Sequence, residues 1–368
     1  MKTRILPFLT ALLCLLPSLA LPLSALSVSA QASVLLECSR GDVVYALNEQ
    51  ARLPMASTTK IMTALVALEN GDLARSYAIP AEAVGVEGSS VYLKAGEHLT
   101  LEELLYAVML ESANDAATAV ALLVGGSMDG FAAMMNEKCA KLGLSDTHFT
   151  NPHGLDDAEH YTTALDLARL AAYALENPVF AAMVSTERKT IPLNDGEGTR
   201  VLVNHNRLLR MYDDVIGVKT GFTKRSGRCL VAAAERDGVR MVSVTLNAPD
   251  DWRDHRALLD YGFSLYECVR LAEPGEYTVE LPCAGAENGF LTAANADGLS
   301  MVLPAGTQFT VQTESRGLWF APVEEGQVVG VIRFLADGKE LASLPLTAVR
   351  AVTIPERKPG FFEKILKY

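Results

Sequence analysis

The chain has 368 residues, 49% of them hydrophobic and 21% charged, enough to bury a sizeable core and to divide into two domains. That balance excludes a disordered chain and a multispan membrane protein. A formal net charge of −12 argues against nucleic acid as a partner.

At the N-terminus, Lys2 and Arg4 precede the apolar run Ile5 to Leu26, and Ala30-Gln31-Ala32 supplies a small-residue cleavage site. Residues 1–32 are therefore expected to be a secretory signal peptide. Pro7, Pro17 and Pro22 interrupt the run and argue against an uncleaved anchor helix. Cys14 follows Leu13 and lacks the small-residue context of a lipidation site. Without the leader the chain carries 30 basic and 44 acidic residues, so capture of any anionic substrate must be local to a basic cleft. Cys38, Cys139, Cys229, Cys268 and Cys283 remain, an odd number with wide spacings and no Cys-x-x-Cys, which indicates neither a disulfide framework nor a zinc site. The histidines lack a His-Glu-x-x-His pattern, and His153 and His160 fall in loop-like stretches. No metal and no cofactor is expected.

Val34 to Glu37 and Val43 to Leu47 flank Arg40-Gly41-Asp42, which predicts a hairpin. Pro54 then marks a loop giving way to a helix, because Ile61 to Leu68 is apolar without proline or glycine. Ser57-Thr58-Thr59-Lys60 lies at its entrance, with hydroxyl and amine one turn apart on one face. Unpaired N–H groups at a helix start favour an alkoxide or oxyanion there. Leu101 to Leu110 and Ala116 to Val124 have helical spacing, and Ser112 to Asp115 interrupts them as a short connection carrying Ser112-Ala113-Asn114. Helices are predicted again at Gly130 to Leu142 and Ala164 to Ala174. Strands follow at Val215 to Thr220, Cys229 to Glu235 and Val239 to Leu246, the last two joined by Asp237-Gly238 as a hairpin. Strands at both ends with helices between predict one α/β domain whose central antiparallel sheet uses distant pieces of chain.

Glu273-Pro274-Gly275 reads as a boundary. Beyond it Tyr277 to Leu281, Ser300 to Leu303, Gln308 to Gln312 and Val328 to Leu335 alternate or cluster apolar residues between turns, and Asp337-Gly338 marks another hairpin. A small all-β domain is expected, with a spacer or partner-binding role. In the tail, Phe361, Phe362, Ile365 and Leu366 recur at helical spacing while Lys364 and Lys367 fall outside that face. This is the pattern of a short anchor on a membrane surface, or of a helix packed on the β domain.

Each catalytic motif alone is weak. A Ser-x-x-Lys is most often a polar helix face, and a Ser-x-Asn is weaker still. Lys219-Thr220-Gly221 is sharper, since it follows the apolar Val215 to Val218 and leads to Ser226-Gly227. All three in order describe a serine acyl-transfer site without a catalytic histidine. Serine needs a neighbouring base, and Lys60 can serve if its pKa falls, which burial beside a second cation, Lys219, would bring about.

With these motifs the chain resembles the penicillin-binding proteins of low molecular mass, the serine-type D-Ala-D-Ala carboxypeptidases. The likeness extends through Pro54-Met55-Ala56, Ile61-Met62-Thr63, Asn114-Asp115-Ala116, Asn151-Pro152-His153-Gly154-Leu155, His160-Tyr161-Thr162-Thr163-Ala164, Gly217-Val218-Lys219-Thr220-Gly221-Phe222-Thr223 and Leu258-Leu259-Asp260-Tyr261-Gly262-Phe263. It runs from about Val34 to Phe263. The resemblance implies a penicillin-binding/β-lactamase-like α/β catalytic domain, an antiparallel sheet with a helical subdomain, over 33–272. A small all-β domain over 273–355 and an amphipathic tail over 356–368 follow. It implies an exported enzyme, at the cell wall or outer face of the cytoplasmic membrane, that removes the terminal D-Ala from peptidoglycan pentapeptide stems through a Ser57 acyl-enzyme and is inhibited by β-lactams.

Carried over motif by motif, the resemblance makes Lys60 the base and Ser112 a proton relay to the leaving amine. Asn114 would hold Lys60 and a substrate amide. Lys219 and Thr220 would meet the terminal carboxylate, and Gly221 would let the acyl chain approach the strand. The backbone N–H groups of Ser57 and Phe222 would form the oxyanion hole, and Arg253 would be the carboxylate-binding arginine. Ala113 stands where β-lactamases often have Asp. A β-lactamase is the nearest alternative, but no Glu-x-x-Leu-Asn segment is present to hold a deacylating water. A D,D-endopeptidase is a further enzymatic alternative. A wall-binding protein without turnover fits poorly with intact Ser57, Lys60 and Lys219.

Overall fold

The computed structural model describes residues 26–193 and 197–354. Most of the expected leader, and the tail from 355 onward, lie outside the described residues.

The N-terminal part of the chain runs β1 (Ala32–Glu37), β2 (Asp42–Leu47), a 3₁₀ turn (Ala56–Thr59) leading directly into α1 (Lys60–Asn70), β3 (Ser76–Ala78) and β4 (His98–Thr100). Helices α2 (Leu101–Leu110), α3 (Asn114–Gly125), α4 (Met128–Leu142), α5 (Ala164–Leu175) and α6 (Pro178–Ser185) follow. Their starts are explained by local chemistry: Thr100 and Glu103 form a capping box on α2, Ser127 and Thr163 cap α4 and α5, and Asn177 with Pro178 opens α6. Next come the hairpin β5 (Arg188–Leu193) and β6 (Gly198–Val203), then α7 (Leu208–Met211), β7 (Val215–Thr223), β8 (Gly227–Arg236), β9 (Val239–Leu246) and α8 (Asp251–Leu265).

Strands from both ends of this region pair into one antiparallel sheet of order β2-β1-β9-β8-β7. The middle strands are covered on both faces, which is why β1, β8 and β9 read as nearly unbroken apolar runs rather than alternating ones. Val34, Leu36, Val231, Val242 and Val244 join the core shared with α1 to α6, whereas Leu35, Leu230, Ala232 and Met241 face Leu258 and Leu259 of α8. Strand β7 is an edge. Its free side borders the Ser57 turn, so the sheet edge and the start of α1 meet at one place.

The C-terminal region contains β10 (Tyr266–Ala272), β11 (Val279–Ala284), β12 (Phe290–Asn295), β13 (Leu299–Pro304), β14 (Thr310–Ser315), β15 (Trp319–Phe320), β16 (Val328–Ala336) and β17 (Lys339–Ala348). Six of these form a sheet of order β14-β16-β17-β12-β11-β15, with a core of its own around Leu271, Leu291, Ile332, Phe334 and Leu346. Asp337 and Gly338 both take positive φ in the β16–β17 hairpin, as a tight primed turn requires. Strand β10 precedes Glu273 but pairs with β13, so backbone pairing with the C-terminal region begins before the Pro274-Gly275 turn.

The triplet Ala30-Gln31-Ala32, expected as a cleavage site, is built into the fold. Ala32 is fully buried and pairs with Leu246 of β9, and the Gln31 N–H donates to the Leu246 carbonyl at 3.1 Å. Just upstream, Ser29 donates from N–H and Oγ to Asp254 Oδ2 at 2.7 and 2.6 Å, and its Oγ accepts the Asp250 N–H at the start of α8.

Candidate active site

Ser57 stands on the 3₁₀ turn rather than inside the α-helix expected from its spacing, and α1 begins at Lys60. In a 3₁₀ turn residues i and i+3 eclipse, so the two side chains stack more closely than on an α-helix. Lys60 Nζ lies 3.0 Å from Ser57 Oγ. Ala56, just before the serine, has φ +49, a left-handed conformation that non-glycine residues rarely adopt. Two glycines make the surrounding contacts possible. A methyl on Gly221 of β7 would fall 3.0 Å from Ser57 N and 3.1 Å from Met55 O and Thr58 N; one on Gly154 would fall 1.9 Å from Ala56 O. The strand and the 151–154 loop therefore clamp the Ser57 turn from two sides, tightly at Gly221, and at Gly154 at a distance only glycine permits.

Lys60 is fully buried. Besides Ser57, its Nζ donates to Asn114 Oδ1 at 2.7 Å and to the His153 carbonyl at 2.6 Å. Burial, and next the charge of Lys219, hold the amine well below the usual lysine range, against the opposing pull of Asp115. A neutral amine has two N–H donors and one lone pair. In the structure Nζ also donates to Ser57 Oγ, and the Ser57 hydroxyl donates to the His153 carbonyl at 3.5 Å. Once the amine is neutral, the two pure acceptors keep its N–H groups and its lone pair is free to take the Ser57 proton. The nearby imidazoles are neutral: burial above all pushes His153 down to about 3 and His160 to about 4. Thr150 N–H donates to His160 Nδ1, so Nε2 carries the proton toward Thr59 Oγ1 at 2.7 Å. His160 thus braces the nucleophile turn, and His153 contributes its carbonyl.

Asn114 opens α3 and is held by the loop ahead of β4. Its backbone N–H donates to Ser89 O at 2.7 Å and its Nδ2 to Glu87 O at 2.6 Å, which turns Oδ1 toward Lys60. Ser112 is buried, lines the cleft with Ser57, and has φ +59. Lys219 is 2% exposed; burial pushes its amine down to about 7, with the Glu111 charge opposing. Its Nζ donates to Thr220 O at 3.0 Å.

The cleft has a volume of about 380 Å³, and Ser57, Ser112, Thr220, Gly221 and Phe222 all line it. Arg253 does not. It lies on the exposed side of α8, 72% exposed, with its guanidinium 3.1 Å from Asp250. The assignment of a carboxylate-binding role to Arg253 is corrected on that ground. The arginines that line the cleft are Arg207 and Arg228. Arg228 sits across from Phe222 in the β7–β8 register, donates to Asp251 at 2.8 Å and stacks over Trp252, and its buried Nε has no hydrogen-bond partner among the described residues.

Sequence reasoning missed the His153 carbonyl, the Glu87 to Ser89 wall, and the Arg207, Arg228, Asp251 and Trp252 side of the cleft. Main-chain acceptors leave no residue-type signal. Arg228 had one: its proximity to Lys219-Thr220-Gly221 across a short turn puts it on the neighbouring strand.

A family model described as D-alanyl-D-alanine carboxypeptidase matches residues 20–250. The D-alanyl-D-alanine carboxypeptidase DacF of Bacillus subtilis is 32% identical over 350 residues, spanning 92% of this chain and 88% of that protein. The solved penicillin-binding protein 5 of Haemophilus influenzae superposes with a TM-score of 0.65 at 29% identity, covering 89% of this chain and 98% of its own. A Streptomyces DD-transpeptidase variant superposes with a TM-score of 0.62 at 31% identity, covering 65% of this chain and 99% of its own. The motif trio, the sheet edge set against a buried serine and lysine, and these matches lead to one assignment: the chain belongs to the D-alanyl-D-alanine carboxypeptidase family.

Proposed function

We infer that this chain is a serine D-Ala-D-Ala carboxypeptidase that removes the terminal D-Ala from peptidoglycan pentapeptide stems through an acyl-enzyme on Ser57, and that β-lactams acylate the same serine. The observation that carries the reading is Lys60 Nζ, buried, 3.0 Å from Ser57 Oγ, with its other two positions on Asn114 Oδ1 and the His153 carbonyl.

The substrate lies along the free edge of β7 as an added strand. Ser57 Oγ attacks the carbonyl carbon of the penultimate D-Ala and gives its proton to Lys60 Nζ. Negative charge develops on the carbonyl oxygen beside the N–H groups of Ser57 and Phe222, fixed dipoles whose stabilisation is usually a large share of the rate enhancement. The C–N bond then breaks, and the proton passes from Lys60 through the Ser112 hydroxyl to the departing D-alanine nitrogen. Water attacks the ester, Lys60 takes its proton, and Ser57 leaves reprotonated with the tetrapeptide released. Asn114 orients Lys60 and the acyl-side amide. Lys219, Thr220 and the cleft arginines meet the terminal carboxylate, Arg228 replacing Arg253 in that role.

A second acceptor is chemically available, since an incoming amine would resolve the same ester into a cross-link. The likeness to a Streptomyces DD-transpeptidase keeps that reading in view. Water is favoured because the chain carries one motif trio, with Ser57, Ser112, Thr220 and Gly221 lining one cleft of modest volume, and its C-terminal part is a small β region that carries no second trio. Incubated with a pentapeptide and supplied acceptor stems, the protein is expected to give tetrapeptide and free D-alanine, and Ser57→Ala to give neither. Mainly cross-linked dimers would make it a transpeptidase.

We further read 33–272 as the catalytic part and 273–355 as a spacer or partner-binding part, with action outside the cytoplasmic membrane. The tail at 356–368 is read as a membrane-surface anchor, which liposome flotation of the full chain tests: a protein that stays at the bottom of the gradient overturns it.

A further inference from the structure

Residues 79–97, between β3 and β4, supply the wall that fixes Asn114, and Ser89 of that wall lines the cleft. From the α3 side the wall is held by Asp115, whose carboxylate accepts Ser90 Oγ at 2.7 Å, Leu93 N–H at 3.0 Å and Val91 N–H at 3.3 Å. From the far side it is held by a residue that none of the motifs contains. Arg200 of β6 is 9% exposed and Glu97 is 4% exposed, and the guanidinium meets both carboxylate oxygens, Nη1 on Oε1 and Nη2 on Oε2 at 2.8 Å. The other edge donates to the wall's backbone: Nε to Val91 O at 3.0 Å and Nη2 to Tyr92 O at 3.3 Å. Tyr92 has φ +57 and its N–H on Ser90 Oγ, so the segment turns sharply where the guanidinium grips it. The same hairpin continues to the Ser112 side of the cleft, where Val203 N–H donates to Glu111 Oε1 at 2.6 Å.

We propose that Arg200 is a positioning residue for the acylation step: it clamps Val91, Tyr92 and Glu97 so that the Glu87 and Ser89 carbonyls hold Asn114 Oδ1 on Lys60 Nζ. A guanidinium alone among side chains offers a fork for the carboxylate and further N–H groups for two carbonyls. The proposal rests on the reading of Lys60 as the base.

Arg200→Lys keeps a cation beside Glu97 but has no second edge for the carbonyls of Val91 and Tyr92. It is expected to melt within a few degrees of the wild type, yet to acylate at saturating penicillin about 10-fold more slowly or worse, with faster hydrogen exchange at the amides of 89–93. Arg200→Met combined with Glu97→Met removes both charges, avoids an unpaired buried ion, and should show the same slowing. First-order acylation constants at saturation count only folded molecules, so a loss of folded protein does not imitate the effect. Wild-type constants in both variants, or rescue of the rate by lysine, would overturn the proposal. Ser57→Ala is run alongside: acylation that survives there defeats the reading of the site, whereas a dead Ser57→Ala with normal Arg200 variants defeats this proposal alone.

Discussion

Lys60 and Lys219 are both almost fully buried, and in both the loss of water is the main force lowering the pKa. For Lys219 the sign is explicit. Its folded value is about 7, below the unfolded value of about 10.4, so between those limits the folded state binds fewer protons and stability rises with pH. Below about 7 both states hold the proton, and the full penalty of burying a cation is present. Lys219→Met is therefore expected to abolish D-Ala release while raising the melting temperature by a few degrees at pH 6, a gain that shrinks toward pH 10; calorimetry at the two pH values checks it, and a variant less stable at pH 6 would contradict it. Ser57, Lys60 and Lys219 are legible in sequence as candidates because short motifs of fixed spacing name them, and the structure sets Lys60 Nζ 3.0 Å from Ser57 Oγ. Arg253 is misread because a one-residue uncertainty on α8 decides which face a side chain takes. Arg228→Leu should raise KM for the terminal D-Ala peptide about tenfold or more, and Arg253→Leu should leave kcat/KM within about twofold, because Arg253 lies outside the cleft, 3.1 Å from the exposed Asp250 and 3.8 Å from the buried Asp254. The reverse ranking would restore Arg253.

Among the elements, β7 and the 3₁₀ turn define the geometry, and their contact depends on Gly221. A methyl there meets backbone atoms of the turn, which cannot rotate away. Gly221→Ala is expected to fold but to slow penicillin acylation by about 10² or more as the strand shifts from Ser57; acylation within threefold of wild type would show that the contact has slack. The hairpins at Arg40-Gly41-Asp42, Asp237-Gly238 and Asp337-Gly338 follow from turn chemistry and are legible. Helix α8 is not, because its inner face is partly polar. Asp251, Asp254 and His255 are buried with Leu258, Leu259 and Gly262; Arg228 bonds Asp251, Ser29 bonds Oδ2 of Asp254, and Ser243 and Thr245 bond His255, while Asp254 Oδ1 has no hydrogen-bond partner among the described residues. A period count that accepts only apolar residues passes over such a helix. The same contacts bear on processing: the chain from Ser29 to Ala32 caps α8 and completes β1. If the chain is processed at its N-terminus, intact mass should place the new N-terminus before Ser29, and an N-terminus at Ser33 would show those contacts to be dispensable.

At the scale of the whole molecule, a chain of net charge −12 sets Arg207 and Arg228 along one cleft, so a terminal carboxylate meets positive charge only locally. The fold class was legible, since apolar runs at both ends of the catalytic stretch, with helices between, require a sheet assembled from distant strands. Sheet order was not, because β1 inserts between β2 and β9 through tertiary packing that no local pattern encodes. In the C-terminal region β12 went unread, its Phe290-Leu291-Thr292 start being too short a signal, although it pairs with both β11 and β17. The central claim, a Ser57 acyl-enzyme formed with Lys60 as base, has a direct chemical record. The full chain is incubated with a penicillin, quenched, digested with trypsin, and the adduct located by tandem mass spectrometry. One penicilloyl group per chain, on the peptide from Leu53 to Lys60 and at Ser57 within it, is the predicted result; a stoichiometric adduct on another residue, or none on folded wild-type protein, would contradict it.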